Sequence, residues 1–150
     1  MNESTPMPAL LACRLTASSK KRILQDLSDL IANHTQMCPR AILSALLSRE
    51  KLGTTAIGEG MALPHAMIDG LDQSVTLLAS LAKPVDFDAP DGNPVDIVCV
   101  VLGGSDGQGS YIGTIRDITD ALHQHVDAIR RAKTTDELQS ILATTREAAA

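Results

Sequence analysis

"PVDIVCVVLGG", residues 94–104, decides how the rest of the chain is read. Its run from 95 to 102 is β-branched and apolar almost throughout, where a strand with one wet face would alternate. Such a strand is buried on both faces, so it predicts the centre of a sheet with helices packed on either side. Just upstream, "SVTLLASLAKPVDF" (74–87) supplies a second apolar strand over about 74–82, closed by Pro84. "DAPDGNP" (88–94) between them has an Asp-Gly pair and two prolines, which predicts a hairpin or another tight connection.

Working outward, "SDGQGSYIGTIRDITDALHQ" (105–124) changes to helical spacing through Ile112, Ile115, Ile118, Ala121 and Leu122. Thr135, Asp136 and Glu137 signal the start of a last helix carrying Leu138, Ile141 and Leu142. Towards the N-terminus, "SSKKRILQDLSDLIANH" predicts an amphipathic helix over about 19–33, with Ile23, Leu27, Leu30 and Ile31 on its apolar face. "PRAILSALLSREKLG" predicts another, with Pro39 in its first turn, Ile42, Ala45, Leu46 and Leu47 near one face, and Gly53 as its stop. Arg49 therefore lies in a final helical turn. "TTAIGEGMALPHAMI" (54–68) reads as one or two brief strands, with His65 at a strand end or on the loop after it. Helices before and after a block of strands, without strand-helix-strand alternation, give an α/β architecture: a mixed β-sheet flanked by helices. One domain over 10–145 is expected, with a flexible N-terminus (1–9) and tail (146–150).

Composition narrows the function. Hydrophobic residues make up 44% and charged residues 21% of the 150, which suits a folded domain. Phe87 and Tyr111 are the only aromatic residues, so the core is aliphatic. A net charge of -5 argues against nucleic acid as a partner. Three widely spaced cysteines, Cys13, Cys38 and Cys99, suit free thiols in a reducing cytoplasm. No stretch reaches the roughly 18 apolar residues of a membrane span, so no membrane insertion is expected.

Two side chains stand out chemically. His65 follows a proline and has glycines on both sides; a neutral imidazole nitrogen there could accept a phosphoryl group, or the ring could simply end a strand. Arg49 could grip phosphate oxygens with its guanidinium, or pair at the surface with Glu50, Asp69 or Asp72. "GGSDGQGS" (103–110) lacks the Gly-Lys-Ser/Thr ending of a phosphate loop and reads as a strand-to-helix connection. His123 and His125, two apart, cannot face the same way on a helix, and no ligand set completes a metal site with them. His34 and Cys38 read as structural or neutral, and no Gly-x-Ser-x-Gly elbow is present.

"SREKLGTTAIGEGMALPHAMIDGL", residues 48–71, resembles the type-2 enzyme IIA domain of the bacterial phosphoenolpyruvate-dependent phosphotransferase system, the fructose/mannitol/nitrogen-regulatory family. The resemblance rests on Arg49, Glu50, Leu52, Gly53, Thr54, Thr55, Gly58, Gly60, Pro64 and His65, and weaker similarity extends it to about 10–145. It implies a mixed sheet flanked by helices, and a phosphocarrier component that needs no metal, nucleotide or other cofactor. His65 would take the phosphoryl group from HPr or its nitrogen-branch counterpart, and Arg49 would bind the phosphate. Thr54 or Thr55 would add a hydroxyl or backbone contact, and Gly58, Gly60 and Pro64 would form the rim on which the carrier docks. Where the family commonly has a second histidine, this chain has Tyr111, a neutral hydrogen-bond donor. A free-standing chain of this length is more similar to the nitrogen-regulatory type, a phosphorylation-switched regulator of targets such as potassium transporters or sensor kinases. Two other readings stay open: a sugar-specific component that passes phosphate to an enzyme IIB, and a protein-binding module independent of phosphorylation.

Overall fold

The computed structural model describes residues 8–105 and 107–149. Its central strand is the one expected, here β6 (Val95–Gly103). The earlier elements are β1 (Leu10–Leu15), α1 (Lys20–Thr35), α2 (Pro39–Lys51), β2 (Ala56–Gly58), β3 (Met61–Ala62), β4 (His65–Met67) and β5 (Val75–Val85); α3 (Gln108–Arg131) and α4 (Thr135–Ala149) follow β6.

The strands form one mixed sheet in the order β1-β5-β6-β3-β2, with β4 also paired to β6. β5 joins β6 antiparallel through the expected hairpin, and β1 lies parallel to β5. On its other edge β6 carries two short parallel partners in succession: β3 opposite Ile97 and Val98, then β4 opposite Val101 to Gly103. Side chains of β6 alternate between two cores. Val98, Val100 and Leu102 pack with Ile23, Leu27, Ile31, Ile42 and Leu46 from α1 and α2. Ile97, Cys99 and Val101 pack with Ile118, Leu122, Ile129, Leu138 and Leu142 from α3 and α4. Burial on both faces is why the strand has no polar alternation.

Five expectations change. On α1, Leu30 is 40% exposed and Leu24 is buried instead, because Leu24 shares the helix face of Ile23, Leu27 and Ile31. Pro84 does not close β5 but lies inside it, because β5 loses register with β6 between Ser80 and Val85 and a residue there has no ladder bond to donate. β1 was not anticipated, and Ala9, expected to be flexible, donates its amide to the Thr76 carbonyl at 3.1 Å. Of the expected tail, residues 146–149 continue α4; 1–7 and 150 lie outside the described residues. Finally, Ile112 is 48% exposed and Tyr111 is buried in its place, so the apolar stripe of α3 runs 111, 115, 118, 122.

Helix ends follow their chemistry. The Ser19 hydroxyl caps α1 by accepting from the Arg22 amide at 3.1 Å. A capping box starts α4: the Glu137 amide donates to the Thr134 hydroxyl at 3.1 Å, while the Glu137 carboxylate accepts from the Thr134 amide at 3.1 Å. α3 bends at His125, whose φ of -119° is not helical. Among the described residues no helix is long and apolar enough to cross a membrane.

Candidate functional site

His65 is the first residue of β4 and sits opposite Val101 in the parallel ladder. Its backbone is fixed on both sides, since the Val101 amide donates to the Pro64 carbonyl at 3.0 Å and the Ile68 amide to the Gly103 carbonyl at 3.0 Å. The imidazole is half-buried, with Nδ1 2.7 Å from the Leu63 carbonyl oxygen. A carbonyl only accepts, so Nδ1 carries the proton in the neutral ring and Nε2 carries the lone pair. The two ring nitrogens thus have separate duties.

Arg49, in the last turn of α2, reaches that lone pair: its Nε–H donates to His65 Nε2 at 3.4 Å. Its Nη1 donates to the Gly53 carbonyl at 2.9 Å, which ties the guanidinium to the turn after the helix. Among the described residues Arg49 pairs with no carboxylate, so the surface ion pair with Glu50, Asp69 or Asp72 is not formed. Glu50 bonds instead to Thr55 and to Lys20, 2.8 Å away.

Tyr111, in the first turn of α3, places its ring centroid 6.2 Å from that of His65 at a 51° tilt. Burial pushes its phenol above the ordinary value, a rise partly offset by the positive charge of Arg49. The ring lies over Gly103, where a Cβ would come within 2.7 Å of Tyr111 Cδ1 and would also meet Met67 Sδ. Glycine is required there by close approach.

Other expected members lie elsewhere. The Thr54 hydroxyl donates to the Phe87 carbonyl, and the Thr55 hydroxyl donates to Glu50 at 2.7 Å with Thr55 itself buried, so both hydroxyls hold the turn and neither is aimed at His65. Gly58 and Gly60 belong to the β2–β3 hairpin. The Gly60 carbonyl accepts from Asp96 and Ile97, while His65 lies opposite Val101, on the order of 15 Å further along β6 at about 3.3 Å per residue. Arg130 and Asp96 close over Gly60. Pro64 is adjacent to His65 but buried. Exposed apolar side chains lie close in sequence to the site residues: Leu52 three residues after Arg49, Met67 two residues after His65, and Ile112 next to Tyr111, exposed by 85%, 46% and 48%. His123 bonds Glu59 at 2.7 Å, away from the site.

This arrangement sets the lone pair of an imidazole nitrogen beside a guanidinium and close to an aromatic ring. The chain is similar over 134 residues to the nitrogen regulatory protein of Bradyrhizobium diazoefficiens, at 34% identity across 89% of this chain and 87% of that one. To the nitrogen regulatory protein of Pseudomonas aeruginosa it is 33% identical, with 90% of each chain covered. Its fold superposes on the crystal structure of nitrogen regulatory protein IIA-Ntr from Neisseria meningitidis with a TM-score of 0.81 and 25% identity, covering 91% of this chain and 94% of that one. Residues 8–144 match the family described as phosphoenolpyruvate-dependent sugar phosphotransferase system, EIIA 2, and with that match the chain belongs to this family of phosphotransferase-system components.

Proposed function

We propose that the chain accepts a phosphoryl group on His65 Nε2 from a phosphohistidine carrier of the HPr or nitrogen-branch type, and that the modification switches its binding to regulatory targets. The observation that carries this reading is the division of labour on one imidazole: Nδ1–H held by the Leu63 carbonyl, Nε2 turned towards Arg49.

The carrier docks on the apolar side chains Leu52, Met67 and Ile112. Arg49 releases Nε2 and takes an equatorial phosphoryl oxygen, still tethered through Nη1 to Gly53. The Nε2 lone pair forms the new N–P bond as the carrier's N–P bond breaks, and the electrons of that bond return to the carrier nitrogen. No proton needs to cross. The ring gains positive character as the bond forms, which strengthens its Nδ1–H bond to the Leu63 carbonyl. Transfer of this kind requires alignment and charge stabilisation rather than covalent help. Tyr111 supplies a wall that excludes water and a hydroxyl donor on the phosphate side.

Phosphorylation adds about -1.5 to -2 charge at an apolar face, enough to abolish or create a docking site. The names of the relatives support the nitrogen-regulatory branch, and the class of target proposed for this chain is a potassium transporter or sensor kinase. Incubation with phosphoenolpyruvate, enzyme I and each carrier, read by intact mass and acid lability, tests the proposal. Wild type gains one acid-labile phosphate; His65→Gln gains none; Arg49→Gln gains it on the order of 10²-fold more slowly. Acid-labile phosphate on His65→Gln would overturn the acceptor, and no gain by wild type with any carrier would leave a phosphorylation-independent binding module.

A further inference from the structure

We infer that Glu50 is a positioning residue for this phosphoryl uptake, whose buried carboxylate holds the turn that aims Arg49 at His65. The inference rests on the reading of His65 as acceptor. Its geometric part stands without that reading.

The Glu50 side chain is only 6% exposed, yet it carries a carboxylate, which burial penalises unless donors surround it. Three do. The Thr55 amide reaches Oε2 at 3.0 Å, the Thr55 hydroxyl reaches Oε1 at 2.7 Å, and Lys20 Nζ reaches Oε2 at 2.8 Å. Both Thr55 bonds close the chain reversal from the end of α2 into β2. That reversal also holds Gly53, whose amide donates to the Glu50 carbonyl at 3.2 Å and whose φ is +151°. The Gly53 carbonyl in turn is the acceptor for Arg49 Nη1.

Arg49 thus has two points of attachment, one on His65 and one on a turn shaped by the carboxylate of its own neighbour. When a phosphoryl group displaces the first, the second alone keeps the guanidinium in place. Lys20 completes the device by neutralising Glu50. Its ammonium sits 5.2 Å from the centre of the Phe87 ring and 3.6 Å from Asp88, and so joins the turn to the β5–β6 loop. With Glu50 satisfied by these donors, the carboxylate next in sequence to Arg49 does not compete with phosphate for the guanidinium.

The test is Glu50→Gln, with two readouts. In uptake from the phosphorylated carrier, kcat falls about tenfold while KM for the carrier is unchanged, the signature of a misplaced charge rather than a damaged dock. By 15N NMR of the unphosphorylated protein, the Arg49 Nε–H resonance, sharp and slow to exchange in wild type, broadens or exchanges with water. Thr134→Ala, which weakens α4 far from the site, is the stability control and leaves both readouts unchanged. Should Glu50→Gln fail to fold, Thr55→Val removes the hydroxyl donor, keeps the carboxylate and shifts both readouts in the same direction by less. An unchanged Arg49 resonance in a folded variant overturns the inference, whatever the rate does. If wild type takes no phosphate from any carrier, the acceptor reading falls while the NMR arm still decides whether Glu50 places Arg49.

Discussion

Tyr111 bears on the chemistry at the scale of single residues. Its buried phenol is held above its ordinary value near 10, so it remains a neutral donor throughout the range in which such a carrier works. Uptake is therefore expected to show no alkaline limb from this group below about pH 10, and Tyr111→Phe, which removes the oxygen alone, should slow uptake by roughly tenfold, the range for a bond to a charged acceptor. Rates measured across pH for the two proteins check both statements. The cysteines separate in the same way. Cys38 is exposed, with its thiol lowered by amide hydrogen bonds from Ala41 and Arg40, whereas burial pushes Cys99 up to about 12. Alkylation of the native protein followed by peptide mapping should label Cys38 first and spare Cys99. His65 and Arg49 stood out in the sequence through the family resemblance of residues 48–71; the residue pattern alone left both open to a structural reading, because spacing along a chain does not show that two side chains meet, as these do. The work assigned to Glu50 was not legible, since a carboxylate next to an arginine reads as its ion-pair partner until the structure shows it bonded to a threonine and a lysine instead.

Among elements, the long periodic ones were readable and the short ones were not. β6 and the four helices announce themselves by unbroken apolar runs or a 3.6-residue period that needs no knowledge of partners. β3 has two residues, and β1 begins two residues after Pro8; each is a strand only because of what lies next to it, and a linear sequence does not carry that information. Misplacing the β2–β3 hairpin at the rim of the site had the same origin: nearness in sequence was taken for nearness in space. That hairpin is pinned by its turn. Glu59 and Gly60 both have positive φ, 57° and 78°, and Arg130 donates to the Glu59 carbonyl at 2.6 Å. Gly60→Ala would place a Cβ 2.6 Å from Arg130 Nη2, so a loss of about 1–3 kcal/mol is expected in denaturant unfolding, with little change in uptake because His65 is remote. Gly103→Ala makes the contrasting case: its Cβ displaces Tyr111 and Met67, so activity should fall along with stability.

For the molecule as a whole, the buried thiol of Cys99 links stability to alkaline pH. Its value in the folded state lies above the ordinary 9.0, so the stability it confers is complete below about pH 9 and is lost as pH rises towards about 12. Over that window unfolding free energy should drop by about 1.4 kcal/mol per pH unit from this group, and Cys99→Ala should show a shallower decline than wild type in urea titrations. The two parts of the site also have different mountings. His65 hangs on Val101 and the Tyr111 ring lies on Gly103, two residues along one strand, whereas Arg49 rides on α2. The acceptor is fixed to the sheet, while the wall is borne by α3 and only rests against the same strand. Lifting of α2 parts the acceptor from its cation. Warming towards the melting point should therefore cost the protein its charge stabilisation before its nucleophile, leaving a histidine that is still presented but poorly served.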